Sequence, residues 1–243
     1  RLSSVLNITS REGNSKQGKF FKDHKLGEYW DLSRVKGEIS LLSSKAMAEG
    51  SFYKGAWILS GRRTYFDQIA ERVNSARNRD QDWKYYFWDS QLKVFSDLNT
   101  QNRLTFSTFN GRDVLRFNFD DEDSNDTIDF DWDWGNNSYS LKWRFIPNSK
   151  LFSEFILTRS SFDFDVNLKY TEVDDTGNRD ETNFLVNNKI HDVSVTEKLT
   201  WYLSPQHTVM MGAALKNLDM EFNLELDGVN RFNIKEEPYV FSA

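Results

Sequence analysis

The sequence predicts an all-β chain, part of an antiparallel up-and-down transmembrane β-barrel. Three observations predict it. First, 20 Phe, 9 Tyr and 8 Trp make the 243-residue chain 15% aromatic, yet the mean hydropathy is −0.67. No run approaches the roughly 18 apolar residues of a membrane helix. An aromatic-rich chain is not a disordered one, and barrel strands that alternate apolar with polar residues average to low hydropathy. Second, almost the whole chain reads in period 2. Third, short and long connections alternate along it.

The one helical stretch is residues 65–76, where Phe66, Ile69, Ala70 and Val73 recur on one face. Strands follow. Over 85–98, Tyr86, Trp88, Leu92, Val94 and Leu98 oppose Asp89, Gln91, Lys93 and Asp97. Over 139–145, Tyr139, Leu141, Trp143 and Phe145 oppose Ser140, Lys142 and Arg144. Over 162–170, Phe162, Phe164, Val166, Leu168 and Tyr170 oppose Asp163, Asp165, Asn167 and Lys169. Over 192–203, Val193, Val195, Leu199, Trp201 and Leu203 oppose a polar set, and over 218–227 Leu218, Met220, Phe222, Leu224 and Leu226 do the same. Each such strand has a dry face and a wet one. The wet faces carry charge, which suits a water-filled lumen or open solvent and not a packed small barrel.

Short turns are expected at 52–54, 99–102, 147–150 and 204–207. Long polar connections are expected at 68–84, 120–129, 171–188 and 227–237. In outer-membrane barrels the short turns are periplasmic and the long loops extracellular. Residues 85–98 would extend roughly 45 Å at about 3.3 Å each. A tilted membrane strand needs only about 9–11 residues, so the strands should project past the bilayer.

The chemistry that the residues exclude is as useful. Lys plus Arg is 31 and Asp plus Glu is 37, a net charge of −6, which argues against a nucleic-acid partner. Without cysteine there is no disulfide, thiol nucleophile or Cys-ligated zinc. His24, His191 and His207 share no metal-ligand spacing. No phosphate loop, Gly-x-Ser-x-Gly elbow or His-Glu-x-x-His is present. The expectation is therefore a non-enzyme with no catalytic residue, cofactor or resident metal.

The opening residues, Arg1-Leu2-Ser3-Ser4-Val5-Leu6 through Thr9-Ser10-Arg11-Glu12-Gly13-Asn14, resemble the last plug strand of TonB-dependent outer-membrane receptors and its exit into the barrel. Gly37-Glu38-Ile39-Ser40-Leu41-Leu42 then looks like the first barrel hairpin. Ser60-Gly61-Arg62-Arg63-Thr64-Tyr65 looks like the next strand, and Phe109-Asn110-Gly111-Arg112-Asp113 like a later one. The stretch 15–34 is longer and more charged than the family pattern. The resemblance implies a division into 1–14, the end of the plug domain, 15–33, the plug–barrel connection, and 34–243, the N-terminal part of the barrel, with about nine or ten of 22 strands. The opening at Arg1, and the strand beginning at 239–243, suggest a piece of a longer chain. The implied function is active uptake of a scarce solute such as a siderophore, cobalamin or glycan. The implied partners are the TonB–ExbB–ExbD energy-coupling complex, an extracellular ligand, and outer-membrane lipid with lipopolysaccharide. The implied location is the outer membrane of a Gram-negative bacterium.

Candidate ligand-binding residues are the acidic group Asp120, Asp121, Glu122, Asp123 and Asp126, with Trp132 and Trp134 beside it as stacking rings. Asp129, Asp131 and Asp133 continue the acidic run, whose spacing matches no EF-hand loop; the plain alternative is a solvated extracellular loop. Arg62 and Arg63 adjoin on a strand, so they point to opposite faces; one is a candidate plug–barrel contact and the other a snorkelling side chain. Trp143 and Trp201 stand just before short turns, as an interfacial girdle would. The competing reading is a soluble or surface-exposed β-sandwich that binds glycans through its aromatics. A sandwich packs its dry face on a second sheet; a membrane barrel gives that face to lipid.

Overall fold

The computed structural model describes residues 11–13, 30–77, 83–120, 126–174 and 176–242, without the side chains of residues 70, 74–77 and 120. The elements are β1 (Arg34–Ile39), β2 (Ser43–Phe52), β3 (Gly55–Thr64), α1 (Phe66–Arg77), β4 (Trp83–Asp97), β5 (Asn102–Asp120), β6 (Thr127–Asn148), β7 (Leu151–Val173), β8 (Arg179–Ser204), β9 (His207–Leu226), β10 (Val229–Glu236) and β11 (Tyr239–Ser242). From β1 to β10 each strand pairs with its chain neighbour in one open meander, the layout of a partial up-and-down β-barrel.

β11 also pairs with β9. Glu236 faces Met220 and Tyr239 faces Asn217, a three-residue step on both strands. The Leu218 N–H still donates to the Pro238 carbonyl at 3.1 Å. β10 and β11 are therefore one strand line interrupted at Pro238, which has no N–H for the ladder. That leaves ten strand positions, in keeping with nine strands and a tenth beginning.

The helix lies where its periodicity placed it, within a residue at each end. Phe66 packs against Tyr85 of β4, ring centroids 6.0 Å apart. Thr64 Oγ1 accepts the Phe87 N–H at 2.8 Å and fixes the chain where β3 gives way to α1. The four short turns are also where the sequence put them. Two of the expected long connections are not loops. Over 171–188, β7 continues to Val173 and β8 begins at Arg179, so the connection is only 174–178. Over 227–237, a two-residue turn suffices: Asp227 and Gly228 both have positive φ, 53° and 70°, the geometry that makes Asp-Gly a hairpin turn. Charge made these stretches look like loops. On the ladder that charge is paired across strands, as in Lys169 to Glu181 at 2.9 Å.

The strands are long. β8 has 26 residues, roughly 85 Å of extended chain at about 3.3 Å each. Ladder partners share a face, so each row of the sheet can be followed from strand to strand. One row near the short turns reads Trp57, Val94, Phe106, Leu141, Leu157, Val195, Leu215 and Phe241. It is apolar throughout. Leu141, Leu157, Leu215 and Phe241 are exposed. The opposite face at this height carries Glu49, Ile58, Lys93, Ser107, Ser140, Thr158, Ser194 and Lys216, polar but for Ile58. Residues 11–13 lie on that second face, which we call inner.

Toward the other end the two faces exchange character. The inner row Tyr85, Leu115, Trp132, Val166, Val186, Leu224 and Phe232 is wholly apolar. The outer row beside it reads Trp88, Arg112, Gly135, Asp163, Lys189, Glu221 and Lys235. Ladder registers run unbroken through the exchange between β6, β7, β8 and β9; those ladders shift elsewhere, at Phe145/Asn148 and Tyr202/Ser204, and the β9–β10 ladder shifts at Asn230/Phe232. The sequence itself changes phase. The dry faces of 162–170 and 218–226 therefore point inward, against the expectation that such faces are offered to lipid. Period 2 gives each segment a dry face, but only the ladder says on which side of the sheet it lies.

Candidate functional site

The inner face divides into a charged lower part and an aromatic upper part. In the lower part, Glu49 of β2 is fully buried. Arg34, directly opposite on β1, holds it at 2.6 Å, and Arg11 pairs with the same carboxylate. The next residue, Glu12, reaches Arg103 of β5 at 3.5 Å. Arg103 is itself held by Asp97 at 2.5 Å and lies over Phe95, 4.5 Å from the ring centroid. Gly13 completes the clip: a Cβ there would stand 2.2 Å from the Trp57 carbonyl oxygen, so only glycine permits this approach.

These contacts were not legible in the sequence. Glu49 sits in an unremarkable Ala-Glu-Gly, and its partners are 38 and 15 residues away. Arg62 and Arg63, singled out for this role, do point to opposite faces. Arg62 faces inward, pairs with Asp89 at 2.5 Å and covers the Phe87 ring at 4.8 Å. Arg63 faces outward, pairs with Asp67 of α1 at 3.1 Å and covers Tyr86 at 5.0 Å. Among the described residues, 11–13 are held by Glu49 and Arg103, and not by Arg62 or Arg63.

In the upper part, aromatic rings form a connected ledge. Phe117 stacks on Phe130 at 4.8 Å, Trp132 lies 4.8 Å from Trp134, and Phe164 meets Trp132 edge-on at 6.1 Å. The Trp132–Trp134 pair is tilted by 43° and Phe130–Trp132 by 78°. Tilted, mutually packed rings are the geometry of an apolar core, not of a flat platform for sugar rings. Trp132 and Trp134 are thus on the inner wall, half-buried, and the Trp132 indole Nε1 is buried with no hydrogen-bond partner among the described residues.

The acidic residues divide by place. Asp121, Glu122 and Asp123 lie outside the described residues, as do residues 175 and 14–29, with His24 among the latter. Asp120 ends β5, its side chain undescribed. Asp126 accepts the Val173 N–H at 2.9 Å and the Tyr170 hydroxyl at 3.3 Å, tying the start of β6 to the end of β7. Asp129, Asp131 and Asp133 are not loop residues. They lie on the outer face of β6, where Asn118 donates to Asp129, Arg116 pairs with Asp131 at 3.2 Å and Arg112 with Asp133 at 2.6 Å. The bases that the acidic run lacks locally come from the neighbouring strand. Among the described residues no three His, Asp or Glu side chains converge as metal ligands.

In the turn 174–178, Asp174 accepts the N–H groups of Thr176 and Asn178, each at 2.8 Å. The Thr176 hydroxyl, then the Asn178 groups, bring its carboxyl down to about 2. Its role is turn closure.

On the outer face, Trp143 and Trp201 stand at the short-turn end, both exposed, with the Trp143 indole donating to Asn102 at 2.9 Å. Between them and the charged upper rows runs the apolar belt, with a groove of about 480 Å³ among Val94, Leu98, Leu104, Phe106 and Leu141. Glu197 interrupts the belt and is hydrogen-bonded by Ser153 at 2.6 Å. No described helix is long and apolar enough to cross a membrane, which says nothing of crossing by strands.

No family model matches this chain, and no curated protein matches it. Among solved structures, the ferric yersiniabactin uptake receptor FyuA from Yersinia pestis aligns with 86% of this chain at 10% identity and a TM-score of 0.43. The chain spans 40% of the length of that structure.

Proposed function

We propose that the chain is a barrel segment of a TonB-dependent outer-membrane receptor, with residues 11–13 as the end of its plug, and that it imports a solute without covalent chemistry. The observation that carries this reading is the exchange of faces. An exposed apolar belt occupies the outer face only near the short turns, with Trp143 and Trp201 at its rim and a charged inner face behind it. A barrel in a bilayer needs this arrangement: apolar outside, wet inside and every strand paired. Above the belt the outer face turns charged, as a wall standing in water should. The inner ledge there faces incoming solute. TonB–ExbB–ExbD and lipopolysaccharide are the partners this reading requires.

The glycan-binding sandwich draws less support. A second sheet would have to cover the belt, and all the described strands lie in one sheet. The test is depth-resolved quenching of single-tryptophan variants of the full chain in bilayers with brominated lipids. Trp143 and Trp201 should be quenched, and Trp132 and Trp134 should not. Equal quenching at all four, or none at any, would overturn the membrane reading.

A further inference from the structure

We propose that the inner wall beside Asp113 binds an organic cation, an alkylammonium or quaternary ammonium group carried on an apolar body. The proposal rests on the receptor reading only for the openness of the inner wall to outside solute.

Asp113 is the one carboxylate in the ladder row Phe87, Asp113, Trp134, Phe164, Asn188, Phe222 and Ile234, which is otherwise mostly rings. Phe87 stands directly opposite it on β4 and Trp134 directly opposite on β6. Along its own strand the next inward positions are Leu115 above and Gly111 below. Gly111 leaves a gap in the wall, over which Phe109 folds: a Cβ at Gly111 would meet the Phe109 ring at 3.2 Å. A carboxylate position is thus set between Phe87 and Trp134 in the ladder, next to the Gly111 gap that the Phe109 ring covers. Ring faces attract cations, and aromatic cages select ammonium groups.

Charge points the same way. Arg62 and Asp89 are the charged groups that act on Asp113. Arg62 is committed to Asp89, with bonds of 2.5 and 2.7 Å. Asp113 has no ion pair among the described residues, so the trio keeps one uncompensated negative charge. Arg62 also demonstrates the recognition in miniature, its guanidinium lying 4.8 Å over Phe87. A polar cleft of about 630 Å³ lined by Glu38, Lys45, Arg62, Asp89 and Gln91 adjoins this row and gives a solute room to approach. The tilted rings beyond, Trp132 and Phe130, would take the apolar body.

The test uses the full chain in detergent micelles and choline as the probe, against 3,3-dimethyl-1-butanol, its uncharged isostere. Equilibrium dialysis reads binding, and far-UV circular dichroism reads the fold. Choline should bind and the isostere should not. Asp113→Asn and Trp134→Leu should each weaken choline about tenfold or more. Asp133→Asn, on the same strands but the outer face, should leave binding unchanged. Equal binding of the isostere, or undiminished choline binding by Asp113→Asn, would overturn the proposal. Should Asp113→Asn fail to fold, Trp134→Phe against Trp134→Leu decides: retention by the first and loss by the second supports the site, and equal binding overturns it. A protein that inserts in bilayers yet ignores choline sinks this site and leaves the receptor reading standing. One that binds choline but shows no lipid quenching does the reverse.

Discussion

The lower and upper halves of β5 to β9 are built on the same strands, with the same period and no register shift between the halves, yet they are inside out relative to each other. Below, Leu141 and Val195 face out while Lys142 and Ser194 face in. Above, Trp132 and Val186 face in while Asp131 and Lys189 face out. The difference teaches that a strand's alternation responds to what lies on each side at that height, and not to the strand as a whole. On the proposed receptor reading, the lower half is apolar outside because hydrocarbon cannot solvate charge. On that reading the upper half stands in water and has no such need, and its apolar side chains gather where they can pack on one another.

The lower half is held on its inner face by ion pairs, and the largest expected effect lies there. Glu49→Ala leaves Arg34 and Arg11 without their shared buried carboxylate, at a cost of about 3–5 kcal/mol. The drop in unfolding midpoint of the full chain in micelles would measure it; a change within error would mean that 11–13 are not held by this pair.

A charge placed on the outer face should separate the halves next. Leu141→Arg puts a guanidinium in the belt and should cost about 2–4 kcal/mol. Asn187→Arg, on the outer face above the exchange, should cost within about 0.5 kcal/mol. Paired unfolding titrations in lipid vesicles would read both. Similar costs at the two sites would erase the distinction between the halves.

The aromatic ledge comes third. Trp132→Ala removes a half-buried ring from edge-on contacts with Phe130 and Phe164, and should destabilise by about 2 kcal/mol, below the range for a fully buried ring. Trp143→Ala on the outer rim should cost less in micelles. A reversed order would place the packed core on the wrong face.

The smallest effect is local. Asp174 titrates near 2, below the ordinary carboxylate value. Its folded-state pKa is depressed, so the order it gives the 174–178 turn is present above the ordinary carboxylate value and is lost as pH falls toward 2. Carboxyl-carbon NMR across this window should follow it, and Asp174→Asn should abolish the transition without unfolding β7 or β8. A midpoint near the ordinary value would remove the hydrogen bonds to Thr176 and Asn178 from the account.

Much of the fold was legible because its signals are local. The four short turns depend on a few adjacent residues. The helix at 66–77 depends on a 3.6-residue recurrence. The long connections misled because charge within 171–188 and 227–237 was read without its cross-strand partners. The acidic run 129–133 misled for the same reason, its compensating Arg112 and Arg116 lying on β5. Of the candidate site, Trp132 and Trp134 were visible as rings near an outer loop. Glu49, Arg103 and Asp113 were not, since each acquires its meaning from residues on other strands.

The sequence by itself determined an all-β meander, its turns and a dry and a wet face for each strand segment, because alternation and turn chemistry act over two to four residues. Only the tertiary structure decided which side of the sheet each dry face occupies, which arginines neutralise which acids, and that Asp113 is laddered between Phe87 and Trp134. Those facts belong to the ladder register, which couples residues tens of positions apart, and shifting it by one residue would turn every one of them to the other face.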